Sequence, residues 1–170
     1  MEENIFLGID VDTIISLTSI FIASLALLVA IWQGIVTRKH NRLSVRPRLQ
    51  FDYLISKNYE VVGLCLRNSG TGPLLIDDIA LFRNNKKFDI SASSYQALFP
   101  SLKTSDFTFN IFSKGFVVAS NECYWIISTK RHVESDEVYQ LILSNLSNFS
   151  VNISYKSIYE EQFSGSWSIT

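Results

Sequence analysis

The chain has 170 residues, 47% of them apolar and 13% aromatic, with a net charge of −1. Near-neutral charge excludes a nucleic-acid surface spread over the whole molecule. Two cysteines without a CxxC spacing exclude a dense disulfide framework.

Residues 1–13 form a short flank with Asp10 and Asp12 and no Lys or Arg. From Thr13 to Thr37 the chain is free of charge. About 20 apolar residues cross the hydrocarbon core as a helix, and Ile14 to Val36 would reach roughly 34 Å. A helix buried in a soluble core rarely stays apolar on every face for so long. Residues 14–36 are therefore expected to span a membrane, with Trp32 as an interfacial aromatic. The run is too long, and its flank too poor in cations, for a cleavable leader. Residues 37–48 form a basic juxtamembrane segment holding Arg38, Lys39, Arg42, Arg46 and Arg48. Lys and Arg near a membrane end stay on the cytoplasmic side. The N-terminus is expected outside, and everything after Thr37 in the cytosol. The same five cations would contact anionic lipid headgroups, each worth on the order of 1 kcal/mol near the surface.

Within the span, Ser16, Ser19, Ala23, Ala26 and Ala30 recur at three- and four-residue spacing, and Gly34 extends the stripe. Small residues at that spacing let helix backbones approach closely, and Gln33 would add an interhelical hydrogen bond. The stripe points to self-association or to pairing with another membrane helix.

Residues 49–170 alternate between apolar and polar side chains, the pattern of half-buried strands. Strands are expected over Phe51 to Ile55, Val62 to Leu66 and Leu74 to Phe82, then Phe107 to Phe112, Phe116 to Ala119 and Cys123 to Ser128. Asn84 to Lys87 reads as a turn. Ala92 to Leu98 suits a short helix, and Ser135 would cap another through Leu146, although Tyr139, Leu141 and Leu143 also fit a strand. Val151, Ile153 and Tyr155 share one face. Beyond the Glu160–Glu161 turn, Phe163, Gly165, Trp167 and Ile169 oppose Ser164, Ser166 and Ser168. Faces so unlike belong to antiparallel sheets, and two of them face to face make a sandwich. The expected fold is mainly β: one transmembrane helix, then a cytosolic antiparallel, immunoglobulin-like β-sandwich with one or two short helices.

Chemistry is hard to find. Gly70-Thr71-Gly72 follows a strand but leads into Pro73 and another strand, so it is no phosphate loop. Its glycines are expected to supply left-handed backbone. Metal binding needs converging ligands, and the histidines, His40 and His132, stand apart. Cys65 and Cys123 read as small hydrophobes in strands; a disulfide between them would contradict a cytosolic location. Asn145, Asn148 and Asn152 head Asn-x-Ser sequons, which pull weakly toward the outside. No catalytic, cofactor or metal site is expected, nor direct nucleic-acid binding, nor a small-molecule substrate.

Three segments carry a resemblance. Arg38-Lys39-His40-Asn41-Arg42-Leu43-Ser44-Val45-Arg46-Pro47 after a single helix resembles a group of small bacterial membrane-anchored proteins. So do Asn68-Ser69-Gly70-Thr71-Gly72-Pro73 and Ile153-Ser154-Tyr155-Lys156-Ser157-Ile158-Tyr159. That group is similar to proteins of bacterial defence islands, including the membrane effectors that accompany retron reverse transcriptases. The resemblance implies an inner-membrane effector of abortive infection that damages the bilayer by oligomerising. Its partners would be lipids, copies of itself, or a protein such as a reverse transcriptase–nucleic acid complex. The alternative is a non-toxic anchor or adaptor that recruits a cytosolic partner.

Overall fold

The computed structural model describes residues 5–6, 9–56, 61–103, 105, 107–129 and 136–169. The chain divides into two compact units, Met1–Leu43 and Ser44–Thr170.

In the first unit, β1 (Ile5–Phe6) pairs antiparallel with β2 (Ile9–Asp10) ahead of helix α1 (Val11–Ser44). No described side chain of α1 is buried. The helix outruns the expected span of 14–36 at both ends, and at 34 residues it is roughly 51 Å long. The basic stretch from Arg38 to Ser44 is thus helical, because Arg, Lys and Leu are good helix formers. Pro47 enforces the stop, since the residue before a proline is pushed out of helical geometry.

The second unit is mainly β. Its elements are β3 (Leu49–Ser56), β4 (Val61–Asn68), β5 (Leu74–Arg83), β6 (Lys86–Phe88), α2 (Ala92–Leu98), β7 (Phe107–Thr108), β8 (Val117–Val118), β9 (Cys123–Thr129), α3 (Asp136–Leu146), β10 (Phe149–Lys156) and β11 (Gln162–Ser168). One antiparallel sheet runs β3-β4-β9-β7. The other runs β11-β10-β5-β6, with β8 joining β5 at Leu74–Leu75. Between the sheets lie Leu64, Leu66 and Ile126 from one and Ile76, Leu81, Val151 and Ile153 from the other. Phe99, Leu102 and Phe149 complete this core. Each such fully buried side chain contributes on the order of 1.5–3 kcal/mol.

Local chemistry explains most boundaries. Asn84 and Asn85 both take positive φ (49° and 63°), a two-residue hairpin turn. Lys86 and Lys87, expected in that turn, therefore already belong to β6. The expected Phe107 to Phe112 strand shortens to two residues, because the Asn110 amide and side chain both donate to the Trp125 carbonyl, at 3.1 and 2.9 Å. Ser91 caps α2 by accepting from the Ser94 amide at 3.1 Å. In α3, Ile142 and Leu146 are both buried four residues apart, so the helical period prevails over the strand alternative. Ser135 and His132 lie outside the described residues.

The β10–β11 hairpin keeps the alternation the sequence suggests. Val151 faces Trp167, Ile153 faces Gly165 and Tyr155 faces Phe163. Ser157 organises its turn: the hydroxyl accepts from the Tyr159 and Glu161 amides, at 3.2 and 3.3 Å, while Glu160 takes positive φ.

Candidate membrane and interaction surfaces

The small-residue stripe of α1 is intact. Ser16, Ser19, Ala23, Ala26, Ala30 and Gly34 are all exposed on the helix, and nothing stands within 4 Å of the space beside Gly34. The Ser16 and Ser19 hydroxyls donate to the Asp12 and Ile15 carbonyls, both at 2.8 Å. Their donors are satisfied within the helix. The stripe thus offers close approach, not polar contact.

The expected lipid-contacting cations fall into two groups. Arg38, Lys39 and Arg42 lie on the last turns of α1, with Arg38 and Arg42 one turn apart on one face. Arg46 and Arg48 follow in the extended stretch that opens the second unit, and both are exposed. The Arg46 guanidinium lies 4.8 Å from the centre of the Phe163 ring, a cation–π contact. Arg46 and Arg48 line a cleft of ≈ 460 Å³ with Thr71, Tyr155 and Phe163.

Beneath that cleft is a hub that sequence reasoning missed. Asn68 is fully buried at the end of β4. Its side-chain oxygen accepts from the Arg48 and Gly70 amides, at 3.1 and 3.0 Å. Its nitrogen donates to the Gly72 and Val118 carbonyls, at 2.7 and 3.0 Å. One amide thereby ties the start of β3, the Asn68–Pro73 turn and β8 together, with every hydrogen-bonding site used. The signal was present: a buried strand that ends in Asn just before Ser-Gly-Thr-Gly. The glycines of this turn need correcting. Neither Gly70 nor Gly72 has positive φ. A Cβ on Gly70 would strike Arg46 and Arg48 backbone, and one on Gly72 would strike the Val45 carbonyl. They are glycines because backbone crosses backbone there.

The cysteines also need correcting. Cys65 on β4 and Cys123 on β9 form a disulfide, with Cα atoms 6.2 Å apart, inside the range such bonds require. The β4–β9 register shifts between Leu64 and Cys65 and makes the two diagonal neighbours. The sequons divide. Asn145 is buried and bonded to Arg83 and Ser101, whereas Asn148 and Asn152 are exposed.

Charge elsewhere is local. Lys114 donates to Asp77 at 3.2 Å, with Lys156 at 3.8 Å, and this hydrogen bond holds the Asp77 carboxyl below its ordinary pKa. Burial pushes the Tyr95 phenol up. Among the described residues no group of three His, Cys, Asp or Glu is arranged to hold a metal ion.

No protein-family model and no curated protein matches the chain. Among solved structures it is similar to the archaellum periplasmic stator protein FlaG from Sulfolobus acidocaldarius, at 13% identity and a TM-score of 0.29, over 72% of this chain and 100% of that one. A likeness that loose carries no argument about function.

Proposed function

We propose that the chain is a single-pass protein of the bacterial inner membrane whose β-sandwich acts by binding other macromolecules and not by catalysis. The observation that carries this reading is α1. Its most apolar stretch has a mean hydropathy of 2.6 and no buried part, and it leads into a unit with its own core. Side chains such as Phe21 and Leu28, 64% and 63% exposed, need lipid or another helix around them. Within that reading the chain is an effector of anti-phage defence that breaches the bilayer by oligomerising. The resemblance of Arg38–Pro47 and Asn68–Pro73 to defence-island proteins supports it, as does the small-residue stripe.

Induced expression of the full chain tests this. Carbonate-resistant membrane association, arrested growth and loss of signal from a potential-sensitive dye are expected. Normal growth with an intact potential would overturn the effector reading and leave the membrane adaptor.

The sandwich faces the cytosol, on the argument that Arg38, Lys39, Arg42, Arg46 and Arg48 follow α1 while residues 1–12 hold no Lys or Arg. The opposite orientation is favoured by one specific observation, the Cys65–Cys123 disulfide, since such bonds persist in oxidising compartments. A phosphatase fused after Thr170 separates the two. It should stay inactive, and activity there would put the sandwich outside.

A further inference from the structure

The four sheet edges of the sandwich are not alike. Strand β6 is three residues long and carries Lys86 and Lys87. Strand β7 is two residues long. Strand β3 carries a charge, Asp52, which is ion-paired to Arg67. Short strands and charges are the usual guards against unwanted edge pairing. Strand β11, Gln162-Phe163-Ser164-Gly165-Ser166-Trp167-Ser168, has none of them. It contains no charge and no proline, and it pairs with β10 through seven successive residues without a bulge. Among the described residues, it has a hydrogen-bonded neighbour on one side only.

We propose that β11 is the docking edge for a second copy of this chain, the two β11 strands pairing antiparallel about Gly165. This deepens the interaction reading above and rests on it for the confinement of copies to one membrane, which raises their effective concentration. Gly165 is the middle residue of the strand, so a two-fold axis there opposes Ser164 to Ser166 of the second copy, Phe163 to Trp167 and Gln162 to Ser168. Phe163, Gly165 and Trp167 face inward and are half-buried, while the residues between them are exposed. The axis keeps those faces in phase: aromatic meets aromatic toward the core, and hydroxyl meets hydroxyl on the wet side, both favourable cross-strand pairs.

The absence of charge singles out a second copy as the occupant. Isologous pairing sets a strand against itself, so any charge at its centre would meet its like. The Cβ position of Gly165 is filled by the Leu49 side chain of the opposite sheet, so neither central residue brings a side chain to the join. The five-stranded sheets of the two copies would form one continuous sheet.

The test uses the full chain in membranes, with a photo-crosslinking residue at Gln162. A covalent dimer is expected. Ser164→Lys with Ser166→Lys sets like charges across the join and should lower the dimer yield by about tenfold or more. Ser164→Glu with Ser166→Glu should do the same. Co-expression of the two variants opposes each introduced ammonium to an introduced carboxylate and should restore the dimer. The wild-type crosslink decides independently of how well the variants fold: no dimer, or an adduct only to another protein, overturns self-pairing. Undiminished crosslinking in the lysine variant overturns the register, and so does failed rescue between variants that melt like the wild type. Carbonate extraction reads the anchor separately. A chain that crosslinks but washes off refutes the membrane reading, whereas one that resists extraction and does not crosslink refutes the edge.

Discussion

Removing the Asn68 side chain would unmake the join between the start of β3, the Asn68–Pro73 turn and β8. In Asn68→Ala two classes of partner lose their bond. The Arg48 and Gly70 amides sit at exposed and half-buried positions, where water replaces the lost acceptor at little cost. The Gly72 and Val118 carbonyls lie at buried positions, and each unsatisfied buried group costs about 1–3 kcal/mol. Two such groups, with the void left by the amide, come to about 4 kcal/mol. Stability of a unit this size is of the order of 10 kcal/mol. A soluble fragment of residues 44–170 should therefore still fold, with its urea midpoint about 2 M lower at an m-value near 2 kcal/mol/M. Asn68→Asp keeps the acceptor but aims a carboxylate at two carbonyls, so at neutral pH it should be at least as damaging. The control is Ser69→Ala, whose exposed hydroxyl donates to the Arg48 carbonyl at 3.2 Å; its cost should stay under about 0.5 kcal/mol. If the midpoint of Asn68→Ala moves no further than that of the control, the hub carries no weight and the reasoning fails.

Reducing the Cys65–Cys123 bond, which spans 58 residues of chain, should cost the same fragment up to about 4 kcal/mol on the chain-entropy account; identical melts with and without reductant would refute a stabilising bond. Phe149→Ala should destabilise by about 3–5 kcal/mol because its ring is fully buried. Trp167→Ala should cost less, since Trp167 only half-buries its ring against Tyr53 and Phe149; the reverse ranking in urea melts would show the burial to be misassigned. In the membrane, Leu at Ala26, Ala30 and Gly34 together should keep α1 inserted yet abolish helix crosslinking and any toxicity, while Leu28→Ile changes little. Undiminished crosslinking in the triple variant would exclude the stripe as the contact.

What the sequence disclosed was local. The helix α1 can be read from its charge-free apolar run, and β10 and β11 from their alternation, which their burial repeats. The pairing of those strands cannot be read that way. β5 lies beside β10 and β4 beside β9, at sequence distances where periodicity holds no information. The Cys65–Cys123 bond was hidden for the same reason, since it depends on a register shift that no spacing rule encodes. Gly70 and Gly72 were recognised as special for the wrong cause: they answer to the crossing chain at Val45–Arg48 and not to their own φ. The helix α1 runs past Arg38 and Lys39 to Ser44, because a charge ends an apolar run without ending a helix. Nothing in the alternation of β11 said that it would lie at an edge, so a face became visible only with the sheet order.

The first and last strands of the sandwich are spatial neighbours. Leu49 opens β3, yet its amide donates to the Tyr155 hydroxyl, and its side chain fills the space beside Gly165. During synthesis this makes completion of the fold wait for residues 162–168. Strand β5 waits for β10, and Leu49 waits for β11. For that interval the apolar faces of β4 and β5 stand uncovered. Such non-local closure is slow and exposes aggregation-prone edges, so biogenesis of this protein should depend on chaperones that hold the nascent sandwich until residues 162–168 emerge.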